Sequence, residues 1–374
     1  MVSVPFTGSD AAPTVRQPLF AISFGGGGPA AGGLSTAAGN LRGAGGTDPW
    51  QAHVVSLTLE AGCAPGVDAV EIMLSPGAAA PQVAIGDTGS VSLGYTDSAA
   101  ALVFTGQVDS VRYSVHGTRR ITATNGGAPL ARLRLNQSYE QQKAGDIVRD
   151  LASQASVETD TVENGVDLPF YILDDRRNAY QHIAALARAS GYLAYMTPEG
   201  KLCFAPFTGG QAVQTFTYGV DILALDLTEA SPTVGMVTTV GEGAAGSQGA
   251  DAWGWLIKDP AAVRGSAGDG TPARLVVNAA LRSGAAAQSA AQGMASAAAL
   301  ARVSGRLLVP GAPAVVAGRA IAIASAPQDV LNGLCMVQQV QHRFAKGAGF
   351  TTLIGFHKAE GGAAAALGAL GALL

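Results

Sequence analysis

The side chains of this sequence best suited to acid–base or metal chemistry are its histidines, and they are widely scattered. A metal site needs several ligands at short spacing, and no histidine has a second ligand near it on one element. We expect His182 on a helix surface or in an interface, and His342 as a hydrogen-bonded structural residue of a strand. The histidines therefore predict neither a metal site nor a catalytic centre. The full set is His53, His116, His182, His342 and His357.

Two acids and two bases adjoin at residues 174–177, a composition that an acid–base centre would also have. A structural interpretation is simpler. Asp174 and Asp175 precede a helical pattern, where carboxylates cap a helix and offset its dipole. Arg176 and Arg177 then extend outward, and we expect no catalysis from this run.

Two further features have simple explanations as well. Cys63, Cys203 and Cys335 lie far apart without CxxC spacing, which indicates buried thiols rather than disulfides or a zinc site. Residues 25–32 are glycine-rich and follow a strand, as a dinucleotide-binding loop does, but further glycines break the helix that such a loop requires. The sequence therefore predicts no catalytic residue, no cofactor, no metal and no enzymatic activity.

Composition excludes several classes of protein. The 374 residues carry a net charge of −4, only 13% are charged, and the mean hydropathy is +0.26. Such a chain is too apolar to be disordered throughout, and low charge favours a surface covered by partners. Arg132 and Arg134 share a face of a predicted strand but are too few for a nucleic-acid site, so we expect no sequence-specific binding of nucleic acid. Without an 18-residue apolar run or a secretory signal, we expect no membrane span and assembly in the cytoplasm.

The elements that must position these residues begin with a β-rich region, residues 1–135. A strand is predicted at residues 14–24, and a Gly/Ala-rich arm at 25–46 is too poor in apolar side chains to fold alone. Alternating residues then predict antiparallel strands of a small barrel, ending with a strand at 131–135. We expect His53, Val55, Leu57 and Leu59 to share one face of a strand. We expect Val111, Tyr113 and Val115 to share one face of another.

Residues 136–207 change to a helical period and predict an α/β insertion unit. One apolar stripe of a helix of about thirteen residues is formed by Ala144, Ile147, Val148, Leu151, Ala152 and Ala155. A second helix is predicted from the two aspartates to Gly191. A hairpin over residues 192–206 completes the unit.

Strand patterns resume in residues 208–358, which predict a second β-barrel. An insertion at 241–304 interrupts it, Gly/Ala-rich up to residue 272 and helical over 279–304. Residues 359–374 form an apolar tail that is too short to span a bilayer. The predicted fold class is α+β and β-rich, with two antiparallel β-barrel domains flanking the α/β unit and Gly/Ala-rich loops between elements.

Several of these segments, taken in order, resemble the hub proteins of contractile tails. That family includes late control protein D of temperate contractile-tailed phages and the N-terminal part of the type VI secretion spike protein, valine-glycine repeat protein G. The matching patterns are G-x-V-x-x-V at 106–111, D-I-V-x-x-L-A at 146–152, L-A-x-x-x-G at 186–191, G-x-L-x-F at 200–204, V-x-x-V-x-H at 337–342 and G-F-T-T-L at 349–353.

The resemblance implies two tube-protein-like barrels per chain and a homotrimer whose barrels form a pseudo-six-fold ring. Such a ring joins the six-fold tail tube to the three-fold spike and lines the conduit. The implied partners are the tail tube protein, a separate spike protein and other baseplate proteins, in the tail baseplate of a phage or injection particle. Two alternatives remain open, namely a tail-associated peptidoglycan hydrolase and a soluble partner-binding β protein.

Overall fold

The computed structural model describes residues 16–25, 48–231, 233–241 and 263–359 of the chain. The predicted arm at 25–46 and the tail at 359–374 lie outside this part, except for Gly25 and Ala359. The helices are α1 (Pro49–His53), α2 (Gly127–Arg132), α3 (Ala144–Gln154), α4 (Ala179–Ser190) and α5 (Gly284–Ala301). No helix of the described residues is long and apolar enough to cross a membrane.

Strands make up most of the regular structure. The first ten are β1 (Pro18–Phe24), β2 (Val54–Gly62), β3 (Ala69–Leu74), β4 (Thr88–Tyr95), β5 (Ala101–Tyr113), β6 (Arg119–Thr124), β7 (Gln137–Lys143), β8 (Thr159–Val162), β9 (Asp167–Leu173) and β10 (Tyr192–Met196). The next ten are β11 (Leu202–Pro206), β12 (Thr215–Thr217), β13 (Ala224–Glu229), β14 (Met236–Val240), β15 (Arg264–Gly268), β16 (Ala273–Val277), β17 (Val303–Pro310), β18 (Ala320–Ala324), β19 (Gly333–Ala345) and β20 (Gly349–Lys358). The predicted β-rich α+β fold class is confirmed.

Twelve strands from both β-rich regions join in one sheet. Its order is β1-β4-β5-β6-β3-β2-β19-β20-β17-β13, with β18 beside β19 and β12 beside β18. The antiparallel pair β2–β19 makes the two regions continuous. Strand β19 is long enough to pair with β18 through its first half and with β2 through its second half. The two β-rich regions therefore share strand β19.

The sheet curls over two apolar cores. The ring of Phe20 on β1 lies 4.9 Å from that of Phe344 on β19, although five strands lie between β1 and β19 in the sheet order. This contact closes the first core, which contains side chains of β1–β6 together with Phe344 and Phe350. The second core is built around Phe216, Leu307 and other residues of β12 and β17–β20.

β-Bulges change which residues of these strands face the core. A bulge between Val54 and Ser56 interrupts the alternation of β2, so that Val54 is buried and Val55 is exposed. The predicted face of His53, Val55, Leu57 and Leu59 is therefore wrong at its first two positions. The physical reason is that a bulge adds one residue to a strand and shifts the later residues to the other face.

The α/β unit packs helices α3 and α4 on two small sheets, β10-β11-β8 and β7-β9. The predicted stripe of α3 is confirmed in five of its six residues, which are buried. The sixth, Ala155, caps the end of the helix and is partly buried against the same core. Helix α4 ends at Gly191, whose φ of 70° is the left-handed conformation that glycine adopts without strain. Its predicted start was wrong. Asn178 caps the helix in a capping box with Gln181, and the two aspartates lie upstream.

The predicted strand at residues 131–135 is also wrong, because residues 127–132 form helix α2 instead. Leu130 in this helix is fully buried against the α/β unit, so tertiary packing overrides the short alternating pattern. Arg132 and Arg134 consequently share no strand face. Arg132 pairs with Asp109, and Arg134 donates to the carbonyl oxygen of Asp175 at 2.6 Å.

Helix α5 confirms the predicted alanine-rich helix, with shorter bounds. It packs on both the α/β unit and a separate sheet, β15-β14-β16. Small residues permit this close approach, since a Cβ placed on Gly293 would lie 2.5 Å from the backbone nitrogen of Gly191. Part of the predicted Gly/Ala stretch at 241–272 forms strand β15, and residues 242–262 lie outside the described part.

Candidate functional site

His182 is buried, so its predicted position at a surface or in an interface is wrong. It faces the inside of the α/β unit from α4. Its Nε2 lies 3.3 Å from the carbonyl oxygen of Asp174, and its Nδ1 lies 3.0 Å from the hydroxyl of Tyr171. Since a carbonyl only accepts, Nε2 donates and Nδ1 accepts from tyrosine. Burial lowers the pKa of His182, which keeps the ring neutral.

His342 is confirmed as a hydrogen-bonded structural histidine. It is 2% exposed, and its Nδ1 lies 2.9 Å from Oγ1 of Thr352 on the neighbouring strand. The same threonine oxygen accepts from the backbone nitrogen of Ala312. Burial lowers the pKa of His342 to about 4, against a hydrogen bond to the backbone of Val315 that raises it. The neutral ring ties β19 to β20 and to the loop before β18.

The other titratable residues singled out in the sequence do not converge. Asp174 accepts from the backbone nitrogen of Arg176 at 3.1 Å and pairs with the same arginine's guanidinium, both at the surface. The thiols of Cys203 and Cys335 are buried, Cys63 is partly exposed, and all three are free. Within the described residues, no three His, Cys, Asp or Glu side chains group together as metal ligands would.

The sequence interpretation missed a buried carboxylate, Asp68, at the junction of the first β region with the α/β unit. Asp68 is 4% exposed and accepts from the backbone nitrogen of Gly62 at 2.9 Å and from Nδ2 of Asn125 at 2.7 Å. Asn125 in turn accepts from the backbone nitrogen of Gly127, where α2 begins. These hydrogen bonds connect β2, β3, β6 and α2 through the side chains of Asp68 and Asn125.

Burial raises the pKa of Asp68 to about 7, although its two hydrogen bonds act in the opposite direction. Within the described residues no cation forms an ion pair with it. The neighbouring hydroxyl of Tyr180 on α4 is buried and has no hydrogen-bond partner in the same part of the chain. This cluster is a structural junction. In the sequence, an aspartate at the start of a strand looks the same whether it lies in an exposed turn or at a buried junction.

The surface offers a different kind of site, because large apolar side chains are exposed at strand edges. We use the name β12–β13 patch for Val213, Tyr218, Val220 and Leu223, which lie beside and between β12 and β13. Val220 is 77% exposed and Leu223 is 59% exposed. Strand β13 has β17 as its single neighbour within the described residues, so its outer backbone groups face away from the sheet.

Two smaller groups share this character. At the tip of the β5–β6 hairpin, Tyr113 is exposed and Val115 is 97% exposed, so their predicted common face does not contribute to a core. On β16, the edge strand of the small sheet, Leu275 and Val277 are exposed. Apolar side chains on open strand edges are typical of surfaces that another chain covers.

The fold is similar to that of three solved structures. The 43 kDa tail protein of prophage MuSo2 from Shewanella oneidensis has a TM-score of 0.64 and 12% identity, over 91% of this chain and 98% of that one. A tail protein from Neisseria meningitidis MC58 has a TM-score of 0.62 and 13% identity, over 82% and 92% of the two chains.

The third is the Escherichia coli c3393 protein, described as a type VI secretion system component similar to the T4 bacteriophage tail proteins gp27 and gp5. Its TM-score is 0.53 at 11% identity, over 83% of this chain and 74% of that one. Neither a protein-family model nor a curated protein matches the sequence. The chain therefore has the α+β fold of these tail proteins along most of its length.

Proposed function

We propose that this chain is a structural component of a contractile tail, the baseplate hub that joins the tail tube to the spike. The observation that carries the proposal is the β12–β13 patch, a set of exposed apolar side chains at an open edge of a tail-protein fold. A protein that works by assembly needs such a surface, whereas an enzyme needs converging reactive groups. The role we propose is accordingly mechanical and not enzymatic.

The proposed assembly is a homotrimer in which two β-rich regions per chain give six similar positions around a ring. The continuous sheet supports this arrangement, because the shared strand β19 holds the two regions in a fixed relation. We propose that residues 1–135 and 208–358 provide the ring positions, that residues 136–207 form an insertion between them, and that residues 359–374 form a tail. A rigid pair of this kind suits an adaptor between six-fold and three-fold partners.

The edge of β13 is the interface that we assign to the neighbouring protomer. Its outer backbone groups, which pair with no strand of the described residues, can extend a sheet, and the apolar side chains around it gain from burial. The remaining partners in the proposal are the tail tube protein, a separate spike protein and other baseplate proteins. The chain would assemble in the cytoplasm and end in the tail baseplate of a phage or injection particle.

Light scattering on the full chain, with and without the neighbouring tube protein, tests the proposal. We expect a mass near three times 37.4 kDa, either alone or once the tube protein is added. A monomer that ignores the tube protein would contradict it. Clearing of peptidoglycan in a zymogram would instead favour the hydrolase alternative.

A matched pair of variants locates the interface. Val220→Asp places a charge in the β12–β13 patch and should abolish the trimer. Ile85→Asp places the same charge at a site of similar exposure, 73%, outside the patch and should leave the trimer intact. If both variants form the trimer, or if neither does, the interface is not at β13.

A further inference from the structure

A cavity of about 250 Å³ lies where helices α4 and α5 meet strands β10, β19 and β20. Two glycines bring the helices together, since a Cβ placed on Gly293 would lie 2.5 Å from the backbone nitrogen of Gly191. Residues one and two turns away from these glycines, on the same face of each helix, line the cavity. They are Ala184, Ala187 and Arg188 on α4, and Ser296, Ala297 and Leu300 on α5. Most of these side chains are small, which leaves open a space that larger ones would fill.

The buried part of the wall is apolar. Phe207, Leu300 and Met336 line the cavity and are all buried. An apolar cavity of about 150 Å³ takes up benzene, and a methylene group needs about the room of one water, so this larger cavity holds a chain of roughly eight carbons. That room is too small for the two acyl chains of a membrane lipid. The wall therefore fits a single short aliphatic chain.

The charge of the wall is positive. Arg188 is the one arginine or lysine among the described residues that line the cavity, and no aspartate or glutamate is among them. Arg188 is exposed, so it lies at the opening, and it takes part in no ion pair of the described residues. A guanidinium binds a carboxylate through two parallel hydrogen bonds. The opening therefore favours an anionic group.

A buried nitrogen in the same wall also lacks a partner. Nδ1 of His357 lines the cavity and has no hydrogen-bond partner within the described part of the chain. Burial lowers the pKa of His357, which keeps the ring neutral. In the tautomer with hydrogen on Nδ1, this atom donates to a carboxylate oxygen or to a water that the carboxylate holds. Such an occupant would satisfy a group that is otherwise costly to bury.

We propose that the cavity between α4 and α5 binds a free aliphatic carboxylate of about eight carbons, with its chain against Phe207, Leu300 and Met336 and its carboxylate at Arg188. This inference goes beyond the proposed hub function and does not depend on it, because all of these residues belong to one chain.

Titration of the full chain with octanoate, followed by ligand-observed NMR below the concentration at which octanoate forms micelles, tests the proposal. For a ligand of this size we expect a Kd of about 1 mM or below. Hexanoate, which lacks two methylene groups, should bind about tenfold more weakly. Octanol, which lacks the charge, should bind about fivefold more weakly.

Two outcomes of this titration would overturn the proposal. One is the absence of saturable octanoate binding. The other is an equal affinity for octanol, which would remove the role of the anion and favour an apolar side chain of another protein as the occupant.

Two matched pairs of variants locate the site. Arg188→Gln should weaken octanoate binding by about fivefold. Arg112→Gln, at an exposed arginine of β5 that likewise takes part in no ion pair of the described residues, should leave the binding unchanged. Ala297→Phe should block the opening and weaken binding at least tenfold, whereas Ala299→Phe, exposed on the same helix outside the wall, should not. Equal affinities within either pair would contradict the assignment.

The native thiol of Cys63 gives an independent readout, because it lines the cavity and is partly exposed. Saturating octanoate should slow its alkylation by iodoacetamide, followed by mass spectrometry of peptides, whereas acetate at the same concentration should not. The thiols of Cys203 and Cys335 are buried and should stay protected throughout, which shows that the fold is intact. An unchanged rate at Cys63 would place the bound octanoate elsewhere and overturn the proposal.

Discussion

Apolar side chains are buried at one end of the twelve-stranded sheet and exposed at the other. At the β1 end, Phe20 and Phe24 are buried, and the ring of Phe20 rests on Phe344 of a strand from the other region. At the β13 end, Val220 and Leu223 stay exposed. The first end is completed by contacts within the chain, whereas the second leaves these apolar side chains exposed in the part of the chain that the structure describes. The buried apolar residues at the first end therefore stabilise this chain, whereas the exposed ones at the second end form the surface that we propose mediates assembly.

The largest expected effect comes from truncating one aromatic ring at the completed end. Phe20→Ala should lower the free energy of unfolding by about 3–5 kcal/mol, because it removes buried contacts and leaves a cavity. Val220→Ala at the other end should change it by less than about 0.5 kcal/mol in the monomer. Denaturant titrations at low protein concentration measure both. A similar loss of unfolding free energy in both variants would contradict the difference between the two ends of the sheet.

The two regions also bury titratable groups of opposite kind, and pH should distinguish them. Asp68 binds a proton more tightly in the folded state, where its pKa is raised to about 7, than in the unfolded chain. Its contribution to stability is therefore complete at low pH and is lost as the pH rises from about 4 to about 7. Between pH 5 and 8 this loss should be about 2–3 kcal/mol. In His342→Gln, urea titrations across this range should show the decrease without the opposing histidine.

His342 should produce the opposite trend. Its pKa is lowered to about 4 in the folded state, so the unfolded chain takes up the proton first as the pH falls below about 6.5. Stability should therefore drop by about 2 kcal/mol between pH 6.5 and 5. In urea titrations, the slope of Asp68→Asn minus that of the double variant Asp68→Asn, His342→Gln isolates this contribution from that of His182, whose pKa is also lowered by burial. Equal slopes in the two variants would show that His342 is protonated without cost.

The smallest expected effect concerns charges that face each other across strands. At the first end Arg112 on β5 lies opposite Arg120 on β6, whereas near the second end Asp226 on β13 lies opposite Arg306 on β17. Arg112→Glu should stabilise the fold by about 0.2–1 kcal/mol, and Asp226→Arg should destabilise it by a similar amount. Thermal melts at low salt detect the difference, and high salt should shrink both effects.

Local patterns in the sequence predicted many of the elements. Helix α3 was predicted from the period of its apolar residues, and the end of α4 from Gly191, because both signals lie within one helix. The β10–β11 hairpin followed from its turn residues in the same way. The starts of elements were harder to place. Asn178 and the two aspartates before it are all good caps, and only the path of the chain selects one.

The candidate site was predicted only in outline. The sequence indicated low charge and a lack of reactive clusters, which favoured an assembly surface, but it did not locate one. Val220 and Leu223 could equally have belonged to a core strand by their type. Both residues lie in the connection between β12 and β13 and are exposed there, a position that the sheet topology decides.

The sequence by itself determined the β-rich class, the helical stripes of the α/β unit and the resemblance to tail hub proteins, since these depend on residue types at short spacing. Only the tertiary structure decided that β2 pairs with β19, that Leu130 lies in a helix and that Asp68 and His182 are buried. The physical reason is that burial and strand pairing are set by residues distant in the chain. Gln341 and Glu60, which meet across β2 and β19, are 281 positions apart.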